Sequence, residues 1–381
     1  MRELPYLRRG TYSTVALLYS GPPSDYLSEQ AREAGTKFIN GPGAVFLNDK
    51  LALHQALAEA PALRPELLGV VADGRASRPD GTPCRLAEIV EKASKVVVRP
   101  AAGARGKGLL FVEADCGNGL LVNGEAATGE QLDALQPQLA YHLLTRFVEQ
   151  HSYAAAIYPN ATNTIRVLIL REPASGEPFL AAGCHRFGTE RSGHVDNFSA
   201  GGLSASIDLA TGRLGRATRK PKEHRPPRWY SSHPDTRERI EGMVIPGWDA
   251  IRAALEKAMA LLPMVRQVGW DVLQTPEGPK LIEGNNQPDA NLHQVHGGLL
   301  RDERVRRFYE HHRVIPPPAA GGESAGEYPS ANFASSDIIS GDQGRSKTIF
   351  GWTLLIPRDR RRTRASARRP AARLGRRGWS A

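Results

Sequence analysis

The sequence predicts an α+β fold, because its predicted strands follow one another in pairs, with helices between the pairs. Residues 95–100 (KVVVRP) and 109–113 (LLFVE) form the first pair around a glycine-rich loop. Residues 165–170 and 178–187 form a second pair around a polar turn, and residues 268–285 form a hairpin.

Three other segments are predicted to be helical. Residues 49–60 form a helix with Asn48 or Asp49 as its N-cap. Residues 132–149 are predicted to be largely helical, up to an apolar stretch at their end. Residues 249–262 form an amphipathic helix, whose apolar face is made by Ile251, Leu255, Ala258 and Leu262.

Length and composition indicate a folded protein without a membrane span. The chain has 381 residues, 40% of them hydrophobic, which suffices for one large domain or two ordinary ones. No apolar run approaches the roughly 20 residues that a membrane span needs, and no signal peptide is predicted. Cys84, Cys116 and Cys184 lie far apart without a CxxC pattern, which argues against disulfides and structural zinc and predicts a cytoplasmic protein.

The positive charge is concentrated at the C-terminus. Residues 358–381 contain ten Arg and one Asp and account for most of the net charge of +10. We therefore predict a lead-in over 1–40, a folded domain over 41–313, and a linker with a disordered Arg-rich tail over 314–381. A nucleic-acid-binding role would rest on the tail alone, and nucleic acid is not the expected partner.

The hairpin carries a candidate magnesium site. If its pairing is centred on Glu277, Asp271 lies directly opposite Glu283 and shares a face with it. A cation between the two carboxylates would remove their repulsion, and Asn285 projects from the same face. The alternative is that Asp271 faces solvent, since a one-residue slip would place the two acids on opposite faces.

A glycine-rich loop with two cations joins the first pair of strands. Its glycines allow backbone N–H groups to approach phosphates closely, and its two cations add positive charge. The loop is neither a Walker loop nor a Rossmann fingerprint. The alternative is a flexible basic hairpin loop. The residues concerned are Gly103, Arg105, Gly106, Lys107 and Gly108.

In this order, the motifs LNDK, VVVRPAAGARGKGL, RFVEQH, NTIRV, HRFG…VDNFSAGG and GWDV…LIEGNNQPD resemble those of the ATP-grasp enzymes. The closest resemblance is to the sugar-transfer-associated branch, which is related to the glutamate-ligase and glutathione-synthetase types. It covers roughly residues 38–298. It implies an ATP-grasp fold, in which two α+β subdomains at about 90–150 and 160–300 grip ATP between them.

The resemblance also implies roles for particular residues. Lys50, Arg99 and the loop residues Gly103, Arg105, Gly106, Lys107 and Gly108 would hold the ATP phosphates. Val148 would hold adenine through its backbone and Glu149 would hold ribose, while Asn197 would face the triphosphate or the substrate. Arg99 departs from the family, which usually has lysine there, and Thr145-Arg146 replace the Gln or Glu that usually opens the adenine hinge.

Catalytic and metal roles follow in the same way. Arg166 and Arg186 would stabilise charge on the transferring phosphoryl group, and the magnesium ligands would be Asp271, Glu283 and Asn285. Asn291 and His293 follow the hairpin closely and are candidates for substrate contact.

The activity that the resemblance implies is an ADP-forming carboxylate–amine ligase that forms an acyl-phosphate. ATP and Mg²⁺, or Mn²⁺, would be its cofactors, and a small-molecule carboxylate and an amine its substrates. The branch name suggests work on cell-surface polysaccharides or amino-acid conjugates. The alternatives are an ATP-grasp protein with kinase-like or degenerate activity and a basic-tailed nucleic-acid binder. The sequence indicates no oligomeric state.

Overall fold

A computed structural model describes residues 4–103, 108–115, 119–221, 227–317, 347–349 and 352–354. The chain divides into two units, residues 1–328 and 329–381. In the second unit, the described residues form an antiparallel strand pair over Lys347–Ile349 and Trp352–Leu354. The predicted Arg-rich tail over 358–381 lies outside the described residues.

The first unit contains two antiparallel sheets. The strands of the first sheet are β1 (Leu67–Ala72), β2 (Arg75–Ser77), β3 (Lys95–Pro100), β4 (Leu110–Ala114), β5 (Leu120–Val122), β6 (Glu125–Ala127) and β7 (Tyr141–Arg146). They lie in the order β2-β1-β7-β3-β4-β5-β6. Val96 and Val98 of β3 are buried while Val97 between them is half-buried, which is the alternation expected of a strand.

The second sheet carries the predicted hairpin. Its strands are β8 (Ile165–Arg171), β9 (Pro178–Phe187), β10 (Leu203–Ile207), β11 (Leu214–Arg219), β12 (Trp229–Tyr230), β13 (Gln267–Thr275) and β14 (Gly278–Asn285). They lie in the order β12-β11-β10-β9-β8-β13-β14. All nine residues of β13 are buried, as expected for a strand inside a sheet that is covered on both faces.

The helices are short, apart from the ninth. They are α1 (Leu4–Leu7), α2 (Ser13–Ala16), α3 (Glu29–Gly35), α4 (Val45–Asn48), α5 (Lys50–Ala56), α6 (Leu86–Ala93), α7 (Gly129–Asp133), α8 (Ser152–Ile157), α9 (Trp248–Leu261), α10 (Asn291–Gln294) and α11 (Glu303–His311). None of the helices in the described part of the chain is long and apolar enough to cross a membrane.

The structure confirms two of the predicted helices. Asp49 caps α5, because its carboxylate accepts hydrogen bonds from the backbone N–H groups of Leu51 (2.8 Å) and Ala52 (3.0 Å). This helix ends at Ala56, earlier than predicted. The predicted amphipathic helix at 249–262 is α9, shifted by one residue.

The helix predicted over 132–149 is wrong. Only the end of α7 and a 3₁₀ turn at Gln136–Gln138 are helical there, and Tyr141–Arg146 form strand β7. β7 lies between β1 and β3, where Leu143 and Leu144 are both fully buried. An apolar run that is buried on both sides has no period of two, so the sequence pattern does not distinguish such a strand from a helix.

Residues 4–40 pack within the same unit as the two sheets. Tyr6, Tyr19 and Tyr26 form a cluster of aromatic rings, with 4.2 Å between the ring centroids of Tyr19 and Tyr26. Tyr19 also donates a hydrogen bond to Asn291 Oδ1 of α10, at 2.8 Å. This segment therefore helps to hold α10 in place. The predicted domain boundary at residue 40 stays a prediction.

Candidate active site

Charged side chains form a row across the second sheet. Asp271 on β13 pairs with Glu283 on β14 and, on its other side, with Arg166 on β8. Directly opposed residues share a face. Arg166 pairs with Cys184 on β9, so Arg186, two residues along β9, lies on that face as well. We call Glu283, Asp271, Arg166 and Arg186 the charged row.

The register between Asp271 and Glu283 is confirmed, but the turn is not centred on Glu277. Thr275 pairs with Gly278, so the two strands begin one residue out of the predicted register. A β-bulge at Ile282 inserts one extra residue into β14 and restores the pairing at Asp271. The carbonyl oxygen of Ile282 accepts a hydrogen bond from Arg99 Nη1 of the first sheet, at 3.0 Å.

Asp271 is buried between two guanidinium groups. Arg166 Nε donates to Asp271 Oδ1, and Arg166 Nη2 donates to Oδ2 at 3.0 Å. Arg186 Nη2 lies 3.2 Å from the same Oδ2. Burial alone would raise the pKa of Asp271, but the charges of Arg166 and Arg186 outweigh burial and lower it. Asp271 is therefore ionised at neutral pH.

Arg186 is shared between two carboxylates. Besides Asp271, its Nε lies 3.3 Å from Asp196 Oδ2 and donates to Thr164 Oγ1 at 3.0 Å. Thr164 Oγ1 in turn donates to Asp196 Oδ2 at 2.6 Å. Burial would lower the pKa of Arg186, but Asp196 and Asp271 outweigh burial and raise it. Arg186 is thus held as a fixed positive charge.

Glu283 at the other end of the row has less positive charge around it. Its Oε1 lies 3.6 Å from Lys50 Nζ, and the same Nζ donates to Gly103 O at 2.9 Å. Burial raises the pKa of Glu283, and Lys50 only partly offsets this effect. Burial likewise lowers the pKa of Arg99, although the nearby Glu283 opposes that change. Lys50 at the start of α5 therefore contacts Glu283 itself, and Arg99 on β3 contacts the carbonyl oxygen of the preceding residue, Ile282.

The model of the family described as sugar-transfer associated ATP-grasp matches residues 33–307 of the chain. The chain belongs to this family. The resemblance predicted from the motifs is thereby confirmed, and the α+β architecture with two antiparallel sheets is an ATP-grasp fold.

Solved structures with similar folds were also found, and no curated protein matches the chain. A D-alanine–D-alanine ligase from Bacillus anthracis is 11% identical, with a TM-score of 0.38 and coverage of 71% of this chain and 70% of that chain. A biotin carboxylase from Campylobacter jejuni is 10% identical, with a TM-score of 0.42 and coverage of 73% and 48%. An N5-carboxyaminoimidazole ribonucleotide synthetase is 12% identical, with a TM-score of 0.39 and coverage of 68% and 51%. The chain thus spans about half the length of the last two proteins.

Most of the residues that the ATP-grasp motifs single out come together in the structure. Asn285 lies two residues beyond Glu283, and its Nδ2 donates to Gly269 O at 3.0 Å. Around the charged row the structure gathers Lys50, Arg99, Gly103, Arg166, Arg186, Asp271, Glu283 and Asn285.

Other predicted residues are not joined to the charged row by contacts in the described structure. Val148 and the exposed Glu149 follow β7, as an adenine hinge requires, but neither has a hydrogen bond or ion pair there within the described ranges. Asn197 Oδ1 accepts from Ser199 N at 2.8 Å and so caps a 3₁₀ turn. Gly108 has a φ of +76°, which favours glycine. Arg105, Gly106 and Lys107 lie outside the described residues.

The two hairpin carboxylates are predicted to repel each other unless a cation lies between them, but protein cations already lie beside both. Arg166 and Arg186 already neutralise Asp271, and Lys50 approaches Glu283. Repulsion alone therefore does not require a metal ion. Within the described ranges, no group of three or more His, Cys, Asp or Glu side chains is placed to hold a metal. The predicted set contains only two such residues with Asn285, so this finding does not bear on it.

Sequence reasoning missed Asp196 and Thr164. Thr164 comes directly before β8 and two residues before Arg166, so the alternation of side chains along an extended chain could have placed it on the same face. Asp196 lies in the loop after β9, where no periodic pattern predicts direction. Only the folded chain shows that both fix the position of Arg186.

The opposite face of β9 carries a buried neutral histidine, which predicts an acid-sensitive fold. His185 is fully buried and lies 2.7 Å from Tyr153 Oη through Nε2. Burial lowers its pKa from 6.5 to about 3. Between these values the unfolded chain binds a proton that the folded chain does not, so the free energy of unfolding decreases as pH falls.

We expect His185→Gln to reduce the slope of unfolding free energy against pH by about 1.4 kcal/mol per pH unit between pH 6 and pH 4. Urea denaturation at a series of pH values measures this slope. His311→Gln, at an exposed position on α11, is the matched control. Equal slopes for wild type and His185→Gln would contradict the prediction.

Proposed function

We propose that this protein is an ATP-dependent, ADP-forming ligase that joins a carboxylate to an amine through an acyl-phosphate. The observation that carries this proposal is the charged row, together with Lys50 and Arg99, at the place where the first sheet meets the hairpin. Membership of the ATP-grasp family supports it. In phosphoryl transfer, catalysis consists chiefly of positioning and charge neutralisation, for which such a set of side chains is suited.

The residues present fit a magnesium ion. Glu283 and Asn285 offer oxygen donors on the face of Asp271, and hard oxygen ligands are those that Mg²⁺ prefers. The carboxamide nitrogen of Asn285 is engaged by Gly269 O, which leaves its oxygen for a cation. Burial raises the pKa of Glu283 in the free chain, and Lys50 offsets this effect only in part, so further positive charge would stabilise the carboxylate. Bound Mg²⁺, or Mn²⁺, would supply that charge and neutralise the phosphates of ATP.

The phosphates of ATP would lie between the hairpin and the glycine loop. Lys50 and Arg99 would hold them, together with Gly103, Gly108 and the loop between these glycines. Arg99 uses Nη1 for Ile282 O, and its buried Nε has no hydrogen-bond partner among the described residues, which suits an anion. Val148 and Glu149 would hold adenine and ribose, and Asn197 would approach the triphosphate or the substrate. The subdomain boundaries remain part of this proposal.

Arg166 and Arg186 would stabilise the reacting groups. In the first step an oxygen of the substrate carboxylate attacks the γ-phosphorus, and the bond from phosphorus to ADP breaks. In the second step the amine attacks the acyl carbon, phosphate leaves, and the amine loses a proton. Negative charge accumulates on the transferring phosphoryl group, and fixed guanidinium groups stabilise it without reorganisation. The ion pairs with Asp196 and Asp271 fix the position of the Arg186 guanidinium group.

The test is ADP release from MgATP by the full chain, measured with panels of amino acids, uronic acids and simple amines. We expect release only when a carboxylate and an amine are both present, together with formation of an amide. ADP release with a single substrate, and no amide, would favour the kinase-like alternative instead. Retention of turnover after deletion of residues 358–381 would show that the Arg-rich tail is dispensable for the reaction.

A further inference from the structure

Helix α10 and the residues after it lie over the arginine end of the charged row. Ser204 on β10 pairs directly with Arg186 on β9 and therefore shares its face. Ser204 Oγ donates to Leu292 O at 2.7 Å and lies 2.9 Å from His296 Nε2. The peptide bond between Leu292 and His293 is therefore held against the face that carries Arg186.

The N-terminal segment holds α10 from its other side. Tyr19 Oη donates to Asn291 Oδ1 at 2.8 Å, and Gln294 Nε2 donates to Tyr19 Oη at 3.0 Å. Gln294 also donates to Leu27 O at 2.9 Å and accepts from Leu27 N at 2.7 Å. The position of His293 is thus fixed by contacts on both sides of it, so little conformational freedom would be lost when a ligand binds there.

His293 differs from these neighbours because its own side chain is buried without partners. Only 4% of the residue is exposed, and neither ring nitrogen has a hydrogen-bond partner among the described residues. A buried polar atom without a partner is costly, so a group that binds it would recover free energy. Burial, and then the nearby charge of Arg166, lower the pKa of His293 to about 3. The ring is therefore neutral, with one N–H donor and one acceptor nitrogen on nearly opposite sides.

The two arginines beside His293 also have donors to spare. Arg166 and Arg186 each donate to protein acceptors through Nε and Nη2, and Nη1 of each has no hydrogen bond in the described ranges. Asp271 and Asp196 balance the two positive charges and are themselves occupied by these arginines. The groups that remain open at this end of the row are therefore N–H donors, and a ligand that only accepts hydrogen bonds fits them.

We propose that His293, Arg166 and Arg186 form one oxyanion site, in which the neutral ring of His293 donates a hydrogen bond to an anionic oxygen. Only the ring nitrogen that faces the arginines takes part, and the nitrogen on the opposite side does not contact the ligand. The ligand is a phosphoryl or carboxylate group, since both present acceptor oxygens alone. This inference rests on the proposed function, because it adds His293 to the arginines that would stabilise the reacting groups.

Two small anions test the site and distinguish its two sources of oxygen. Inorganic phosphate represents the phosphoryl group and acetate the carboxylate, and each is titrated calorimetrically into the full chain with MgADP present. We expect His293→Leu to bind MgADP as wild type does and to bind the anion about tenfold more weakly, the value of one hydrogen bond of roughly 1.4 kcal/mol. A loss for phosphate assigns the contact to the phosphoryl group, and a loss for acetate assigns it to the carboxylate.

Further variants and a spectrum test whether His293 contacts the anion itself. His293→Gln keeps a neutral N–H donor and should recover part of the lost affinity. The ring N–H proton of His293 should move downfield in the NMR spectrum when the anion binds, which a residue that merely packs beside the site would not show. The ligand-free Tm of His293→Leu should be unchanged or higher, because unpartnered polar atoms are removed. His311→Leu, at an exposed position on α11, is the matched control.

Three outcomes would overturn the assignment of His293. These are an unchanged affinity of His293→Leu for both anions, binding of neither anion by wild type, and a marked drop in the ligand-free Tm of His293→Leu. The last would mean that the ring nitrogens already have partners in the free protein. Failure of MgADP to bind to wild type would instead contradict the proposed function.

Discussion

Magnesium-dependent ATP turnover is expected to fall at least about a hundredfold when Glu283 is replaced by Gln. The change removes the negative charge of a proposed magnesium ligand while it keeps the shape of the side chain. Burial raises the pKa of Glu283 in the free chain, so an uncharged side chain is at no disadvantage there. We therefore expect the free energy of unfolding to stay within about 1 kcal/mol of wild type.

Glu283→Gln therefore tests the proposed magnesium site with a smaller expected effect on stability than Asp271→Asn. Asp271→Asn should also abolish turnover, but it leaves Arg166 without a carboxylate partner in a buried place. Breaking a buried ion pair costs about 3–5 kcal/mol, so part of its effect would come from lost stability. The measurements are ADP release against Mg²⁺ concentration and urea denaturation of each variant.

Glu277→Gln provides the matched control, because Glu277 is an exposed acid in the turn of the same hairpin. It should leave both turnover and stability as in wild type. Full activity in both Glu283→Gln and Asp271→Asn would rule out the proposed magnesium site.

The second large effect is expected for Arg186→Met, which keeps the aliphatic part of the side chain and removes its charge. Turnover should fall about 10²–10³-fold, because the fixed positive charge that we propose to stabilise the transferring phosphoryl group is lost. Asp196 also loses its ion pair and Asp271 keeps only Arg166, so the free energy of unfolding should decrease by about 3–5 kcal/mol. Arg186→Lys should recover little, because an ammonium group cannot fork between two carboxylates.

ADP release and urea denaturation separate the two roles of Arg186. Arg216→Met, at an exposed position on β11, is the control for loss of one arginine from the same sheet. If Arg186→Met lost stability but kept wild-type turnover, Arg186 would have only a structural role. The proposed stabilisation of the transferring group would then rest on Arg166 alone.

Local sequence patterns were sufficient for several elements and for the family. Asp49 at the start of α5 and the run of valines in β3 are short-range features, and the structure confirms the helix start and the strand. β7 was mistaken for part of a helix, because Leu143 and Leu144 are consecutive residues that are both buried. Their environment depends on β1 and β3, which lie far away in the sequence.

The candidate site could likewise be predicted only in part, because some of its contacts join residues that are far apart in the sequence. The sequence predicts the pairing of Asp271 with Glu283 from a turn centred on Glu277, whereas the observed turn is centred half a residue earlier. The pairing is correct only because the bulge at Ile282 offsets that error. The partners of Arg186 could not be predicted, since Asp196 comes from a loop and Asp271 from a strand much later in the chain. Contacts of this kind depend on tertiary structure and leave no periodic pattern.

The bulge at Ile282 has a mechanical consequence. A bulged residue has no partner in the ladder, so its carbonyl is free to point toward another part of the molecule, and here Arg99 takes it. Shortening β14 by this one residue would give an unbroken ladder in which Glu283 still opposes Asp271, but Arg99 would lose its acceptor. The extra residue thus links the two sheets through one hydrogen bond, and its removal would eliminate that link while Asp271 and Glu283 stay opposed.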